Sequence, residues 1–295
     1  MLLHATEDWG RYAAIYNRCL TFAPYTLRLT EETVQKLIMP FIKQKGDESY
    51  AVIVYDEDGK EGIAHTSLCP VEGKEPIGML HLLLADTNDL AEFLLRQTEA
   101  WARMKNLHRI ETYSHKLNPY RCIMHGSEAY CWGGLYTTRN AFARLMWDME
   151  FDIVNMYLNM TEEPSVFTPD LPSGSQSELE ETDMSEDELS INGVFRAKAD
   201  GNVVASCGYH YLKAISGQLN RCIGQIWITS ETAVHGLGYG RQVITASHRK
   251  LYQLGARKVI LATNNSLYRA IKFYQTLGYQ HELIHAYTFC KDITP

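Results

Sequence analysis

His235-Gly236-Leu237-Gly238-Tyr239-Gly240-Arg241 is the stretch whose reading decides the fold of this chain. An apolar run, Cys222 to Ser230, precedes it, with Ile226 and Ile228 on one face of a strand. A helical pattern from Tyr239 to Leu254 follows, carried by Val243, Ile244, Leu251 and Leu254 and ended by Gly255. Strand, glycine-rich turn and helix together make an anion site. The first backbone N–H groups of a helix have no partner inside it, and the helix dipole adds about half a positive charge at that end. Glycines let a pyrophosphate reach those N–H groups and supply positive φ where the turn needs it.

Three ligands compete for such a turn. A dinucleotide loop has glycines at its first, third and sixth positions and an acidic residue ending the next strand. Here the third glycine falls one residue early, Arg241 follows it, and the next strand ends in Thr263-Asn264. A nucleotide P-loop needs Gly-Lys-Ser or Gly-Lys-Thr, which is absent. Coenzyme A remains.

Further along, Lys258 to Thr263 reads as a short buried strand and Leu267 to Leu277 as a helix ended by Gly278. A last strand runs from about Glu282 to Cys290. Upstream, Ile191 to Ala197 and Val203 to Leu212 read as strands joined by a turn at Asp200-Gly201-Asn202.

With these elements in place, His235-Gly236-Leu237-Gly238-Tyr239-Gly240 resembles the pyrophosphate motif of the GNAT-superfamily N-acetyltransferases. Ala270-Ile271-Lys272-Phe273-Tyr274-Gln275-Thr276-Leu277-Gly278-Tyr279 resembles that family's second signature. The two stand in order, about 30 residues apart, and the likeness covers some 100 residues. The family more often has Arg or Gln where His235 stands, and Asn where Leu267 stands.

The resemblance implies an acyltransferase that moves an acetyl group from acetyl-CoA to an amine. It implies that residues 235–241 (His235, Gly236, Leu237, Gly238, Tyr239, Gly240 and Arg241) hold the pyrophosphate. The pantetheine arm is then expected to pair with the backbone of Ile228, Thr229 and Ser230, with Asn265 as a side-chain partner. Tyr274 takes the family's position for the proton donor to the leaving thiolate. A phenol titrates near 10 and a thiol near 8.5, so complete transfer is uphill by roughly 2 kcal/mol and a hydrogen bond to the thiolate suffices. Glu231, His210 and Glu282 are available as general base, and none is singled out. Gln225 stands where related enzymes often carry Glu.

The N-terminal half repeats the order of elements. Tyr50–Tyr55 and Glu61–Ser67 flank a turn, Ile77–Ala85 is a strand, and a helix runs from Asp89 to Lys105 with an Asp89/Glu92 capping pattern. Arg109–Tyr113 is a strand, Ala141–Met149 a helix and Ile153–Met160 a strand. Asn106 to Ile110 aligns with Gly255 to Val259, Met146 with Tyr274 and Glu150 with Gly278. Two extra helices, around Trp9 to Cys19 and Thr33 to Lys43, come first. The first copy's loop, Asp86-Thr87-Asn88-Asp89, has no glycine and two carboxylates, so one coenzyme A per chain is expected.

The fold class expected is α+β, two GNAT-like domains, each a mixed, mostly antiparallel sheet flanked by helices. Residues 1–160 form a degenerate domain without a cofactor loop, 161–190 a linker and 191–295 the catalytic domain. The linker is expected because 161–190 carries three prolines and ten acidic residues without Lys or Arg, with at most one helical turn at Met184 to Leu189. The chain's net charge of -7 therefore leaves about +3 elsewhere, which gives no electrostatic case for nucleic acid. Without an apolar run of eighteen residues or a basic, apolar leader, no membrane span or secretory signal is expected, and cytoplasmic residence is. Seven cysteines, an odd number without a Cys-x-x-Cys pair, read as reduced thiols. His115, Cys122, His125 and Cys131 match no common zinc spacing, so no metal is expected and they read as a loop over a cleft. The acceptor is a small-molecule or peptide amine. A non-catalytic acyl-CoA binder or sensor is the alternative, and an interaction role for the acidic segment a third reading.

Overall fold

The computed structural model describes residues 2–4, 8–19, 27–45, 48–55, 58–112, 145–146, 148–150, 152–162, 178–188, 190–213, 223–231, 235–264 and 266–293. The chain divides into two compact units, Met1–Tyr157 with Ile284–Pro295, and Leu158–Leu283. Among the described residues no helix is long and apolar enough to cross a membrane.

Unit 1 opens with strand β1 (Leu2–His4), helix α1 (Trp9–Cys19) and two short helices, α2 (Glu31–Leu37) and α3 (Met39–Lys45). The single helix expected from Thr33 to Lys43 is thus broken. Ile38 is the C-cap of α2, and Pro40, which has no N–H to donate, fits only in the first turn of a new helix. Strands β2 (Ser49–Tyr55), β3 (Glu61–Cys69) and β4 (Ile77–Ala85) are antiparallel. Helix α4 (Asn88–Met104) then crosses to β5 (Arg109–Glu111), which pairs with β4 in parallel at Gly78↔Ile110 and Met79↔Glu111. Leu90, Leu94, Leu95 and Trp101 of α4 pack with Val52, Leu80 and Leu83 of the sheet in one buried cluster.

The last segment of the chain belongs to this unit, not to the one before it in sequence. Strand β12 (Gln280–Asp292) pairs antiparallel with β5 through Cys290↔Glu111, Lys291↔Ile110 and Asp292↔Arg109. Lys291 Nζ donates to Glu99 at 2.7 Å and to the Met149 carbonyl at 2.8 Å, Arg109 bridges Asp292 at 2.8 Å, and Ile293 lies in the core.

A second feature of unit 1 is a buried pair of histidines. His65 on β3 and His81 on β4 have ring centroids 5.1 Å apart, and Phe41 of α3 sits edge-on to both. Ser49 Oγ lies 3.0 Å from His65 Nε2, and Ser67 Oγ 2.6 Å from His81 Nε2. Burial pushes His65 down to about 3.

Strand β6 (Asp152–Glu162) leads into unit 2. There β7 (Glu178–Glu186), β8 (Ser190–Ala199), β9 (Asn202–Leu212) and β10 (Ile223–Ser230) are successively antiparallel. Helix α5 (Tyr239–Gln253) crosses to β11 (Lys258–Asn264), which runs parallel to β10, and helix α6 (Tyr268–Thr276) follows. The turn at Asp200-Gly201 has φ of 51° and 76°, which suits the right-handed twist of a two-residue hairpin.

Over residues 178–186, strand β7 stands where a linker and, from Met184, a helical turn were expected, while 163–177 lie outside the described residues. Acidic composition alone argued against order. Four of its five carboxylates, however, meet a cation from the packed part of the unit. Glu180 pairs with Lys198 at 2.8 Å, Glu181 with Lys250 at 3.0 Å, Glu186 with Lys213 at 3.0 Å and Asp183 with Arg196. Leu179 packs against the core, and Tyr209 donates its hydroxyl to Glu181. Exposed pairs of this kind are worth about 0–1 kcal/mol each, so they act by removing the repulsion that would otherwise keep the strand apart.

The repeat is visible in backbone conformation where side chains hide it. Gly255 after α5 has φ 104°, and its counterpart Asn106 after α4 has φ 55°. Both ends carry the same pair of closing bonds. Leu107 N–H donates to Ala102 and Asn106 N–H to Arg103, as Ala256 donates to Leu251 and Gly255 to Tyr252. Gly278 (φ 93°) is likewise matched by Glu150 (φ 64°). A left-handed residue with a Cβ is strained by roughly 1–2 kcal/mol, part of which glycine would return as unfolded-chain entropy. Glu150→Gly is therefore expected to stabilise the protein by about 0.5–1 kcal/mol, read as a rise of about 2 °C in thermal midpoint. An unchanged or lower midpoint would refute the strain.

Candidate functional site

Three elements of unit 2 converge on residues 228–241. Strand β10 pairs with β9 from Gly224↔Tyr211 to Ser230↔Ala205, and Glu231 N–H extends this by donating to Val204 at 3.1 Å. Among the described residues its parallel pairing with β11 ends at Gln225↔Ile260. From Ile226 to Ser230 one edge of β10 is therefore open, and Thr229 and Ser230 are exposed.

Helix α5 starts from Gly238, its N-cap, at φ 90° and ψ -9°, and no side chain caps it. Its first internal bond runs from Gln242 N–H to the Gly238 carbonyl at 3.0 Å. The N–H groups of Tyr239, Gly240 and Arg241 thus have no acceptor within the helix. The first turn holds no acidic residue, and Arg241 forms no ion pair with a described residue. Gly236 also has positive φ, 88°, and a Cβ there would meet nothing within 4 Å. A Cβ on Gly240 would lie 3.5 Å from Ile228 Cδ1 and 3.6 Å from Phe273 Cζ, ordinary contacts. This places the loop beside both β10 and α6. Packing alone does not demand glycine at 236 or 240, whereas Gly236 and Gly238 are both set by their backbone angles.

His235, Gly236 and Leu237 are exposed, and Gly238, Tyr239, Gly240, Arg241 and Ile228 are half-buried. Sequence reasoning missed one contact among them. Ser230 Oγ lies 3.0 Å from His235 Nε2 and ties the strand end to the loop. No spacing rule points to it, because the pairing depends on the path of the chain between the two residues.

Tyr274 lies in α6 and is buried, with its ring 5.7 Å from Phe273 and 5.8 Å from Tyr279, edge-on to the latter. The Tyr279 hydroxyl is 2.6 Å from His248 Nε2 in α5, and burial pushes His248 down to about 3. Of the other sequence candidates, Glu231 is exposed just after β10, and His210 is fully buried on β9. Asn265, the Glu282 side chain and the group His115, Cys122, His125 and Cys131 lie outside the described residues. Cys207 lies under α5, and burial pushes its thiol up to about 12, which leaves it without thiolate character at neutral pH.

The corresponding position in unit 1 is closed by its own side chains. Thr87 caps α4, its Oγ1 accepting from Leu90 N–H at 3.3 Å, so the cap expected at Asp89 lies two residues earlier. Asp86 accepts from Glu61 N–H at 2.9 Å and is bridged by Arg18 of α1 at 2.8 Å. Arg18 also reaches Glu61, which Arg11 bonds in turn.

Residues 157–279 match the model of the family described as acetyltransferase (GNAT). No curated protein matches the chain. Among solved structures, a tandem GNAT protein of the clavulanic acid biosynthesis pathway superposes with a TM-score of 0.66 at 11% identity, covering 100% of this chain and 98% of that one. The GCN5-related N-acetyltransferase from Sphaerobacter thermophilus gives 0.60 at 13% identity, with 100% and 96% covered. The glucosamine N-acetyltransferase region of a fungal multi-domain β-N-acetylglucosaminidase gives 0.66 at 14% identity. There the match covers 99% of this chain and 38% of the much longer fungal one. These identities speak for fold alone: residues 157–279 are similar to the GNAT acetyltransferase family, in a chain with the two-domain α+β fold of tandem GNAT proteins.

Proposed function

We propose that unit 2 transfers an acetyl group from acetyl-CoA to the amine of a small molecule or peptide. One observation carries the reading: an uncapped helix start at Gly238, with no carboxylate in its first turn, stands beside the open edge of β10. The pyrophosphate rests on the N–H groups of residues 238–241, where the dipole and Arg241 favour it. The pantetheine arm lies along Ile228, Thr229 and Ser230 as an added strand, and a backbone N–H there polarises the thioester carbonyl. The amine, arriving neutral, attacks that carbonyl. The C–S bond breaks as the C–N bond forms, the thiolate takes a hydrogen bond or proton from Tyr274, and the proton lost by the amine nitrogen passes through water to the thiolate or back to the phenol. Unit 1, whose equivalent position is filled by Thr87, Asp86 and Arg18, binds no cofactor. Calorimetry is expected to find one acetyl-CoA per chain, and release of free thiol with a panel of amines to show turnover. Two sites, or none, would defeat the reading.

Tyr274→Phe is expected to lower kcat by about 10–100-fold with acetyl-CoA affinity within about twofold, since the group acts on the leaving thiolate. The burial of Tyr274 against Tyr279 favours a second reading, a chain that binds acyl-CoA without turnover. Normal kcat in Tyr274→Phe, measured where chemistry limits the rate, reduces the residue to packing. Tight binding without thiol release for any amine supports the non-catalytic reading.

A further inference from the structure

We infer that the Ser230–His235 hydrogen bond is a positioning latch, which holds the open end of β10 and the glycine loop at the spacing that an acyl-CoA requires. The inference rests on the function proposed above and assigns His235 a role through Ser230.

The two side chains are five residues apart and both exposed, with Oγ and Nε2 at 3.0 Å. Water would satisfy either group in its absence, so the bond adds little to folding. Its value lies in what it joins. On one side, β10 beyond Gln225 is held, among the described residues, by β9, through Ser230↔Ala205 and the Glu231 N–H. On the other, the loop turns through Gly236 and Gly238, both at positive φ. Glycine has more backbone freedom to lose than any other residue, so an untethered loop would charge its ordering to ligand binding. Pantetheine and pyrophosphate are parts of one molecule, and the two segments that receive them must sit at one fixed separation. A bond between the last residue of the strand and the first of the loop sets that separation before the ligand arrives.

The test is titration calorimetry with acetyl-CoA and with free coenzyme A on the whole chain. The variants are Ser230→Ala, His235→Ala, the double variant, and the hydrogen-bonding replacements Ser230→Thr and His235→Gln. Each alanine variant is expected to weaken binding by about 5–10-fold, with thermal midpoints unchanged. The double variant is expected to bind no more weakly than His235→Ala, and the two conservative replacements to recover most of the loss. In turnover, KM for acetyl-CoA should rise by the same factor while kcat moves little. Wild-type affinity in the alanine variants, or losses that multiply in the double variant, would overturn the latch and leave the proposed function standing. A wild-type chain that binds neither compound overturns that function, and the latch with it.

Discussion

Gly238→Asp is expected to abolish acetyl-CoA binding, a loss of at least 100-fold or about 2.7 kcal/mol. The new carboxylate would stand at the N-cap of α5, the one position from which a side chain reaches the unpaired N–H groups of the first turn. It would put a Cβ and a negative charge where the proposed pyrophosphate approaches those donors. A Cβ at φ 90° adds strain of roughly 1–2 kcal/mol, small enough for the fold to survive, as circular dichroism can verify. Unit 1 already holds the natural version of this substitution. Thr87 caps α4, and Asp86 stands before it. Gly238→Ala adds the Cβ without the charge and should cost less. Undiminished affinity in a folded Gly238→Asp protein would remove the loop from the cofactor site.

The second large effect is acid sensitivity from two buried imidazoles. His65 in unit 1 and His248 in unit 2 are each held down at about 3 by burial, whereas an unfolded histidine titrates near 6.5. Between those values the unfolded chain binds more protons than the folded one, so stability falls as pH falls. It is fully present above 6.5 and is lost progressively down to about 3. At pH 5 each group costs about 2 kcal/mol, and the pair about 4. Set against the 5–15 kcal/mol of an ordinary protein, unfolding is expected between about pH 5 and 4. His65→Gln can keep an amide near Ser49 Oγ and has no proton to gain, so it should flatten the pH dependence by one proton's worth. Stability unchanged from pH 7 to 5 in denaturant titrations would show that these rings are not neutral and buried in solution.

Wherever a local rule sufficed, the sequence was a good guide. The bounds of β4, β8, β9 and α5 follow from periodicity and glycine stops, because amphipathic spacing and left-handed C-caps are properties of a few neighbouring residues. The glycine turn before α5 was legible for the same reason. Strand β7 was not, because Lys198, Lys250, Arg196 and Lys213, which make its acidic residues tolerable, lie outside the segment. The latch between Ser230 and His235 was hidden likewise, although both residues had been singled out separately. The relation of Glu150 to Gly278 was readable as an alignment, but only backbone angles show that both serve one conformation. No composition signal announces that Ile284–Pro295 returns to unit 1.

That return orders events on the ribosome. The strand that pairs with Arg109–Glu111 is made of residues 290–292, more than 130 residues after unit 1 is otherwise complete. At about 5–20 residues per second, the first unit waits some 7–27 s with β5 uncovered on one edge. Throughout that interval Leu107 and Ile110 lack Ile293 as a neighbour, and Glu99 lacks Lys291. The N-terminal half is therefore translated first but finished last, and during synthesis it is the half most exposed to chaperones and to strand pairing with other nascent chains.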